Sequence, residues 1–267
     1  MSAQAGNHTP GTGRGEADLS AVRARLAAAR SVLVITGAGI SSESGIPTFR
    51  TDDGLWQKNN PLEFATREAF LRDPEKVWRF YDERRAVAAK AQPNPAHIAL
   101  ARLQTPGRRV LVVTQNVDDL HERAGSVDVV HIHGSLWRMR CERDGTVIEN
   151  TDVPLAELPP YCPCGEVMRP DVVWFGETLP WAPVARVRDF LLSGTIDACL
   201  VVGTEAQFGY IVEWTWAARE SGALAVEVNP RTTGLSSLVD YRFEGKAGEV
   251  LPLLVPEPAP TGGAANA

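Results

Sequence analysis

Ser31-Val-Leu-Val-Ile-Thr-Gly-Ala-Gly-Ile-Ser41 is the stretch of this chain that decides the fold. It begins with a short apolar run rich in β-branched residues and ends in two closely spaced glycines. An apolar run without polar alternation is typical of a strand buried on both faces of a parallel sheet. Glycines directly after such a strand allow a tight turn and a close approach of backbone to phosphate. The stretch therefore predicts a parallel strand followed by a candidate nucleotide-binding turn.

Similar apolar runs recur along the chain, and helical patterns separate them. The strand-like runs are residues 109–114, 127–132, 197–202 and 223–228, and the helical patterns are residues 17–30, 94–103, 182–192 and 210–220. Asn94 and Pro95 form a typical helix start, because Asn caps the helix and Pro suits its first position. Strands that alternate with helices predict an α/β fold with a Rossmann-like, doubly wound parallel sheet.

Two stretches of the chain interrupt this alternation, and we expect them to form a smaller inserted lobe. Residues 41–91 predict a helical insertion, and residues 136–175 predict a small zinc-ribbon-like module with short strands and three cysteines. The large lobe then comprises approximately residues 16–40, 92–135 and 176–255 of a single domain over residues 16–255. The two ends, residues 1–15 and 256–267, are polar or rich in Pro, Ala and Gly and are predicted to be disordered.

Composition excludes several classes of function. The formal net charge of −6 and the absence of a basic stripe argue against nucleic-acid binding. No apolar run approaches the roughly 18 residues of a membrane span, and no secretory signal opens the chain, so we expect a cytoplasmic protein. Because disulfides are rare in a reducing cytosol, the clustered cysteines favour a metal site.

Longer motifs identify a resemblance to a known family. Gly37-Ala-Gly-Ile-Ser-Ser-Glu-Ser-Gly-Ile-Pro-Thr-Phe-Arg50 resembles the cofactor-binding motif of the sirtuins at every fixed position. Further similar motifs are Thr114-Gln-Asn-Val-Asp-Asp-Leu-His121, His133-Gly134, Val173-Trp-Phe-Gly-Glu177 and Val202-Gly-Thr204. The resemblance runs from about Ser31 to Leu254. It implies an NAD-dependent protein-lysine deacylase that acts on acylated lysines of proteins and produces nicotinamide, O-acyl-ADP-ribose and free lysine.

The resemblance implies which residues bind NAD. Arg50 would pair with the pyrophosphate, Phe49 would shield the reactive ribose from water, and Asp118 would accept a hydrogen bond from the nicotinamide amide. Taken alone, Asn116 and Asp118 could instead cap the helix that follows them. The full implied set is Gly37, Ala38, Gly39, Ser41, Phe49, Arg50, Trp56, Gln115, Asn116, Asp118, Gly203, Thr204, Asn229 and Ala247.

His133 is the expected catalytic base, with Asn116 as the second catalytic residue, which orients a ribose or a water. The implied reaction requires a ribose hydroxyl to lose a proton, and histidine, with an ordinary pKa of about 6.5, suits this near neutral pH. His131 lies two residues before His133, so its side chain points to the same face of the predicted strand, but no glycine follows it. We therefore expect His131 to be structural.

The acyl group is expected to contact Tyr81 and Arg84, which lie three residues apart on a predicted helix and so share a face. By resemblance, they match the sirtuin class that removes succinyl and malonyl groups, because a hydroxyl and a guanidinium together match a carboxylate. The alternative is a surface arginine paired with Asp82 or Glu83. The remaining expected substrate contacts lie in a strand that would pair with the substrate backbone: Val173, Phe175, Gly176 and Glu177.

The metal site departs from the family pattern of two cysteine pairs. Cys162 and Cys164 form the second pair, but the first consists of Cys141 and Asp144. Zinc accepts carboxylate oxygen, so three thiolates and one carboxylate could hold a structural zinc ion. The alternative is that zinc has been lost and packing alone holds the lobe.

A second departure is Gly203-Thr-Glu-Ala-Gln-Phe-Gly-Tyr210, where Glu205 replaces a serine of the family motif. A carboxylate here would repel pyrophosphate unless it points to a ribose hydroxyl. Phe208 and Tyr210 either line the acyl-lysine tunnel or are core aromatics. Two alternative functions follow: an ADP-ribosyltransferase or NAD hydrolase on the same fold, and an NAD-binding module without turnover.

Overall fold

The computed structural model of the chain describes residues 11–12, 16–48 and 60–255. Within these residues, ten strands form two sheets. The strands are β1 (Gly11–Thr12), β2 (Ser31–Thr36), β3 (Arg109–Thr114), β4 (Val129–His131), β5 (Gly134–Cys141), β6 (Val147–Glu149), β7 (Met168–Val172), β8 (Ala198–Val202), β9 (Leu224–Val228) and β10 (Tyr241–Phe243). Seven of them form one parallel sheet in the order β1-β10-β9-β8-β2-β3-β4.

Helices connect these strands. They are α1 (Glu16–Ala28), α2 (Ala38–Ser41), α3 (Pro61–Phe64), α4 (Arg67–Arg72), α5 (Pro74–Lys90), α6 (Pro95–Arg102), α7 (Leu120–Arg123), α8 (Trp181–Leu192), α9 (Gly209–Glu220) and α10 (Ala247–Leu254), with a short 3₁₀ turn over Ser42–Ser44. Asn94 caps α6 by accepting a hydrogen bond from the Ala96 backbone N–H. None of the described helices is both long and apolar enough to cross a membrane.

Both faces of the parallel sheet are covered, which explains the continuous apolar strands. Every residue of β2 is buried, and β2 pairs with β3 on one side and β8 on the other. On one face, Leu26 of α1, Leu100 of α6 and Leu251 of α10 pack against the strands. On the other face, Val187 of α8 and Ile211 of α9 do so. The predicted doubly wound α/β fold is therefore confirmed.

A second sheet of three antiparallel strands lies in the order β6-β5-β7. Helices α3 to α5 share its apolar core, in which Trp78 and Phe70 pack with Met168. The Trp78 indole N–H donates to the Met168 carbonyl at 2.7 Å. The guanidinium of Arg85 is fully buried and donates to the carbonyls of Asn150 and Asp152, which fastens α5 to the sheet.

The strand order places a binding cleft at one edge of the parallel sheet. The chain runs from β2 through β3 to β4 on one side and later returns to β8 on the other side of β2. Loops that leave neighbouring strands in opposite directions open a crevice at the carboxyl ends of those strands. The turns after β2 and β8 flank this crevice.

Several local expectations differ from the structure. The expected strand over residues 173–177 is wrong, because β7 ends at Val172 and the following residues form a turn with Gly176 at φ +85°. β1 lies within the segment predicted to be disordered, where it pairs with β10. Neither β10 nor α10 was predicted. The predicted cofactor residues Phe49, Arg50 and Trp56 lie outside the described residues.

Candidate functional site

The turns after β2 and β8 contact each other through glycine. The Gly39 N–H donates to the Gly203 carbonyl at 2.8 Å. A Cβ atom on Gly37 would lie 2.7 Å from Cβ of Thr204, and one on Gly39 would lie 2.8 Å from Cα of Gly203. Contacts this short leave no room for a side chain. The two turns can therefore lie this close to each other, and to a ligand, only because these positions have no side chain. Ala38 and Ser41 lie in the same turn and also line the cleft.

Gln115, Asn116 and Asp118 follow β3, and hydrogen bonds hold the first two across the cleft. The Gln115 amide donates to the Thr204 hydroxyl at 2.8 Å, and the Asn116 amide donates to the Ser41 hydroxyl at 2.9 Å. Burial raises the pKa of the Asp118 carboxyl, although a hydrogen bond from the Leu120 backbone opposes this. The structure therefore brings all three side chains to one end of the cleft in fixed positions.

Asn229 and Ala247 lie at the side of the cleft formed by β9 and α10. The Asn229 amide donates to the Thr204 carbonyl at 2.9 Å, so it braces the turn after β8. Ala247 begins α10 and is buried. Glu205, in contrast, is exposed, and its carboxylate accepts from the Gln207 amide at 2.8 Å. Its carboxylate therefore makes a hydrogen bond within the turn itself.

His133 lies just before β5, and both of its ring nitrogens have partners. Nδ1 lies 3.1 Å from the Gln115 carbonyl oxygen, and Nε2 lies 2.6 Å from the Tyr210 hydroxyl. A carbonyl can only accept, so Nδ1 carries the hydrogen and Nε2 has the lone pair. Burial lowers the pKa of His133, against a smaller opposing effect of the Gln115 carbonyl. The imidazole is thus neutral and basic near pH 7.

His131 makes only structural contacts in the described part of the chain. Its Nδ1 lies 3.1 Å from the Asn116 carbonyl, and its Nε2 lies 2.6 Å from Glu122 Oε1. Its pKa is raised: burial works to lower it, but the hydrogen bond and charge of Glu122 outweigh that effect. The contact with Glu122 holds the imidazole that bonds to the Asn116 backbone carbonyl.

One cavity of about 1330 Å³ joins these residues to the expected acyl-group contacts. It is larger than the roughly 300–1,000 Å³ typical of a single ligand site. Tyr81 and Arg84 of α5 line it together with His133, as do Val173, Phe175, Gly176 and Glu177. A single cleft therefore has room for two ligands, and His133, the glycine turns and α5 all line it.

Contacts of the Glu177 side chain hold the turn after β7 in place. The Glu177 carboxylate accepts from the Trp174 backbone N–H at 2.9 Å and forms an ion pair with the fully buried Arg169. The Val173 N–H donates to the His133 carbonyl at 2.9 Å. Glu177 thus holds the shape of the turn that lines the cleft. Pairing of this segment with a substrate backbone stays a prediction.

The four predicted metal ligands converge at the far end of the small sheet. Their donor atoms all lie within 4.8 Å of one another. Cys141 Sγ and Cys164 Sγ are 3.6 Å apart, and Cys162 Sγ is 3.6 Å from Asp144 Oδ2. With Zn–S bonds near 2.3 Å and Zn–O bonds near 2.1 Å, a tetrahedral ion would give separations of about 3.8 and about 3.6 Å. The donor set fits one structural zinc ion.

Comparison with known proteins identifies the family. The Sir2 family profile matches residues 37–208, which is the larger part of the chain. The chain belongs to the Sir2 family. The "NAD-dependent protein deacylase 2" of Pyrobaculum aerophilum is 48% identical to this Sir2 protein over 236 residues, which cover 87% of this chain and 92% of that protein.

Solved structures of Sir2 proteins share the fold closely. A Sir2 homologue crystallised with NAD is 41% identical, with a TM-score of 0.83 over 93% of this chain and 95% of that chain. A Sir2 homologue variant in complex with 2′-O-acetyl ADP-ribose is 40% identical, with a TM-score of 0.81 over 90% of this chain and 95% of that chain. This Sir2 protein is therefore an NAD-dependent protein deacylase.

The cleft of this sirtuin fits NAD as the cofactor. Gly37 and Gly39 lie close to Gly203 and have no side chains. The backbone of these turns is therefore accessible to a dinucleotide phosphate, which needs close contact with it. Gln115, Asn116 and Asp118 supply polar groups at the other end of the same cavity. These residues, with Thr204, Asn229 and Ala247, would hold the cofactor.

Removal of the carboxylate ligand should release zinc from this sirtuin. We expect Asp144→Ala to weaken zinc binding by roughly 100-fold or more, because one of four ligands carries about a quarter of a binding free energy of about 10–16 kcal/mol. Asp144→Cys should retain the ion, since a thiolate replaces the carboxylate. Zinc per chain after dialysis against a weak chelator, measured by mass spectrometry, tests both. Equal zinc in the wild type and Asp144→Ala would rule out Asp144 as a ligand.

The contact between Tyr210 and His133 was not predicted from the sequence. Tyr210 was expected to be either a tunnel-lining or a core aromatic residue, and in the structure it is both a lining residue and a hydrogen-bond partner of His133. The signal available in the sequence was the departure of residues 203–210 from the family motif. The hydrogen bond from the Trp174 indole N–H to the Tyr81 hydroxyl at 2.9 Å was not predicted either, because no local sequence pattern indicates it.

Proposed function

We propose that this NAD-dependent deacylase removes succinyl, malonyl and related carboxylate-bearing acyl groups from lysines of protein substrates. The observation that carries the proposal is a poorly compensated cation in the cleft. Arg84 lines the cavity that contains His133, and its Nε is buried without a hydrogen-bond partner in the described part of the chain. An acyl group that ends in a carboxylate would supply the missing acceptor.

The ion pair that Arg84 forms does not replace such a carboxylate. Its nearest acid is Glu83, at 3.6 Å from Nη2, and 71% of the Glu83 side chain is exposed whereas only 22% of the Arg84 side chain is. Exposed ion pairs of this kind contribute about 0–1 kcal/mol. Burial lowers the pKa of Arg84, with the charge of Glu83 opposing it, so the guanidinium lacks full solvation. A buried donor without a partner favours ligands that satisfy it.

Tyr81 provides a second donor on the same face of α5. Its hydroxyl accepts from the Trp174 indole N–H at 2.9 Å, which positions the oxygen. A hydroxyl that accepts one hydrogen bond can still donate its own hydrogen. Burial raises the pKa of Tyr81, so the phenol stays neutral and does not repel an anion. Tyr81 and Arg84 together suit a carboxylate.

The neighbouring arginine serves a different purpose. Arg85 is fully buried and donates to carbonyls of the small sheet, including that of Leu136 at 2.5 Å. Adjacent helical residues point about 100° apart. Arg85 therefore points into the lobe while Arg84 faces the cleft, which supports assigning the acyl carboxylate to Arg84.

His133 and Asn116 are the proposed catalytic residues. When bound, NAD supplies the carbon that receives the acyl oxygen and the nicotinamide that leaves. His133 would be the base whose Nε2 receives the proton that a ribose hydroxyl gives up, and Asn116 would orient the ribose or a water. The Ser41 hydroxyl and the Thr114 hydroxyl hold Asn116 through its amide and its backbone N–H. We propose nicotinamide, free lysine and O-acyl-ADP-ribose as products.

Arg84→Met tests the acyl-group preference. We expect the ratio of kcat/KM for succinyl-lysine over acetyl-lysine peptide to fall by roughly 10- to 100-fold, because a charge-assisted hydrogen bond is worth about 1.5–3 kcal/mol. Activity on the acetyl peptide should change little. Nicotinamide release with matched peptides measures both rates. Arg79→Met is the matched control, since Arg79 lies on the same helix with its side chain 66% exposed and pairs with Glu75.

The same assay distinguishes the rival functions. A preference for acetyl peptide that Arg84→Met leaves unchanged would disprove the carboxylate proposal and leave deacylation intact. Nicotinamide release that ignores the peptide would instead favour an NAD hydrolase or an ADP-ribosyltransferase.

A further inference from the structure

We propose that Tyr210 relays a proton between the ribose hydroxyl and His133, so that the base acts through a phenol rather than by direct contact. The inference rests on the proposed role of His133 as the base. It begins with the hydrogen bond of 2.6 Å between the Tyr210 hydroxyl and Nε2 of His133.

The basic lone pair of His133 is already occupied. Nδ1 carries the ring hydrogen because it faces the Gln115 carbonyl at 3.1 Å. Nε2 of a neutral imidazole has one lone pair, and the Tyr210 hydroxyl donates to it. No other donor can reach that lone pair while the bond exists. A hydroxyl in the cleft must therefore either displace Tyr210 or pass its proton through Tyr210.

Aromatic contacts hold the Tyr210 ring in place, which favours a relay over displacement. Phe208 stacks on the ring with centroids 5.5 Å apart and an interplanar angle of 11°. Trp214, one turn along α9 and itself buried, contacts it with centroids 5.0 Å apart. Aromatic pairs are worth about 0.5–1.5 kcal/mol each beyond their burial. Swinging the ring away would lose both contacts as well as the hydrogen bond.

The Tyr210 hydroxyl can donate and accept at once. Its single hydrogen points to His133, and its oxygen keeps lone pairs that can accept from a second hydroxyl. Tyr210 lines the cavity, so a ligand can reach the oxygen. Burial raises the pKa of Tyr210, so the phenol keeps its hydrogen until His133 receives it.

The proton transfer balances without an additional reagent. The ribose O–H bond would break, its proton would form a new O–H bond with Tyr210 Oη, and the proton that Oη carried would pass to Nε2. Tyr210 would end as a neutral phenol, His133 would end as imidazolium, and the ribose oxygen would keep the electron pair that it uses to attack the acyl carbon. The Gln115 carbonyl stabilises the imidazolium through Nδ1–H.

Tyr210→Phe tests the relay, with Tyr241→Phe as a control that removes the same oxygen atom from β10. We expect Tyr210→Phe to lower kcat for deacylation roughly 100-fold, within the usual range for proton transfer by a positioned group. Exchange of labelled nicotinamide with acyl peptide present should persist, because that step precedes the action of the base. A proton inventory in mixed water and heavy water should be curved in the wild type, where two protons move.

A measurement on the free protein tests the hydrogen bond without NAD. In Tyr210→Phe, the ¹⁵N resonance of His133 Nε2 should move towards the value of an imidazole nitrogen whose lone pair accepts no hydrogen bond. In Tyr241→Phe it should not change. An unchanged kcat, or a faster one, in Tyr210→Phe would overturn the relay, the faster rate meaning that Tyr210 only blocks the base. Full deacylation by His133→Ala would overturn the relay together with the proposed base. Wild-type activity that ignores acyl peptides would overturn the proposed function.

Discussion

Replacement of His133 by alanine is expected to lower the deacylation rate by roughly 10²- to 10⁴-fold, the usual contribution of a positioned general base. The structure gives the reason, because Nδ1–H is held by the Gln115 carbonyl and leaves Nε2 as the basic nitrogen. In the described part of the chain, His133 is the histidine that lines the cleft. Steady-state rates with a succinyl-lysine peptide measure the loss.

The pH dependence of the wild type provides a second check on His133. Burial lowers the pKa of this histidine below its ordinary value of 6.5, so more than half of the imidazole is neutral at pH 6.5, and activity falls as the pH drops through the lowered pKa. If the acidic limb of the pH profile of kcat/KM had its midpoint at or above pH 6.5, it would contradict this assignment. His133→Ala should also retain the wild-type melting temperature within a few degrees, and exchange of labelled nicotinamide should survive.

Gly134→Ala is expected to reduce the free energy of unfolding by about 2–5 kcal/mol. Gly134 has φ of +82°, a left-handed conformation that costs other residues about 1–2 kcal/mol. A Cβ atom there would also lie 2.9 Å from the Asp171 carbonyl carbon and from Cα of Val172, and closer still to the Asp171 oxygen. Overpacking of this kind costs about a further 1–3 kcal/mol. Urea denaturation measures the change.

Gly125→Ala separates the two contributions at Gly134. Gly125 has φ of +100°, but nothing lies within 4 Å of the position that its Cβ would take. We expect this variant to lose only about 1–2 kcal/mol, from backbone conformation alone. Equal losses in the two variants would show that the approach of β7 to Gly134 does not contribute.

Strands with a strong local pattern were predicted accurately. β2 and β3 have the predicted bounds, because each is a run of mostly β-branched residues, all buried except Arg109, and this pattern can be recognised without knowing the neighbouring strand. β10 has only three residues, and α10 contains Pro252, which interrupts a helical pattern. These two elements form because they pack against β9 and the sheet face, a cause that lies outside their own sequence.

Residue types in the cleft were predictable, but their partners were not. The sequence predicted Tyr81 and Arg84 on one helix face, and it allowed Arg84 to pair with Asp82 or Glu83. In the structure, Asp82 Oδ1 accepts from the Leu155 backbone N–H at 3.1 Å, whereas Glu83 pairs with Arg84 at 3.6 Å although its side chain is 71% exposed. Helical spacing shows which side chains share a face, but it does not show which groups from outside the helix contact them.

By itself, the sequence determined the parallel sheet, the glycine turn, the candidate base and the four candidate zinc ligands. These features depend on residue type and on spacing along the chain. The tertiary structure alone decided that Tyr210 reaches His133 and that the donor atoms of Asp144 and three cysteines lie within 4.8 Å of one another. His133 and Tyr210 are 77 residues apart in sequence, and only the order of β4, β8 and α9 in the fold brings an imidazole and a phenol within 2.6 Å of each other.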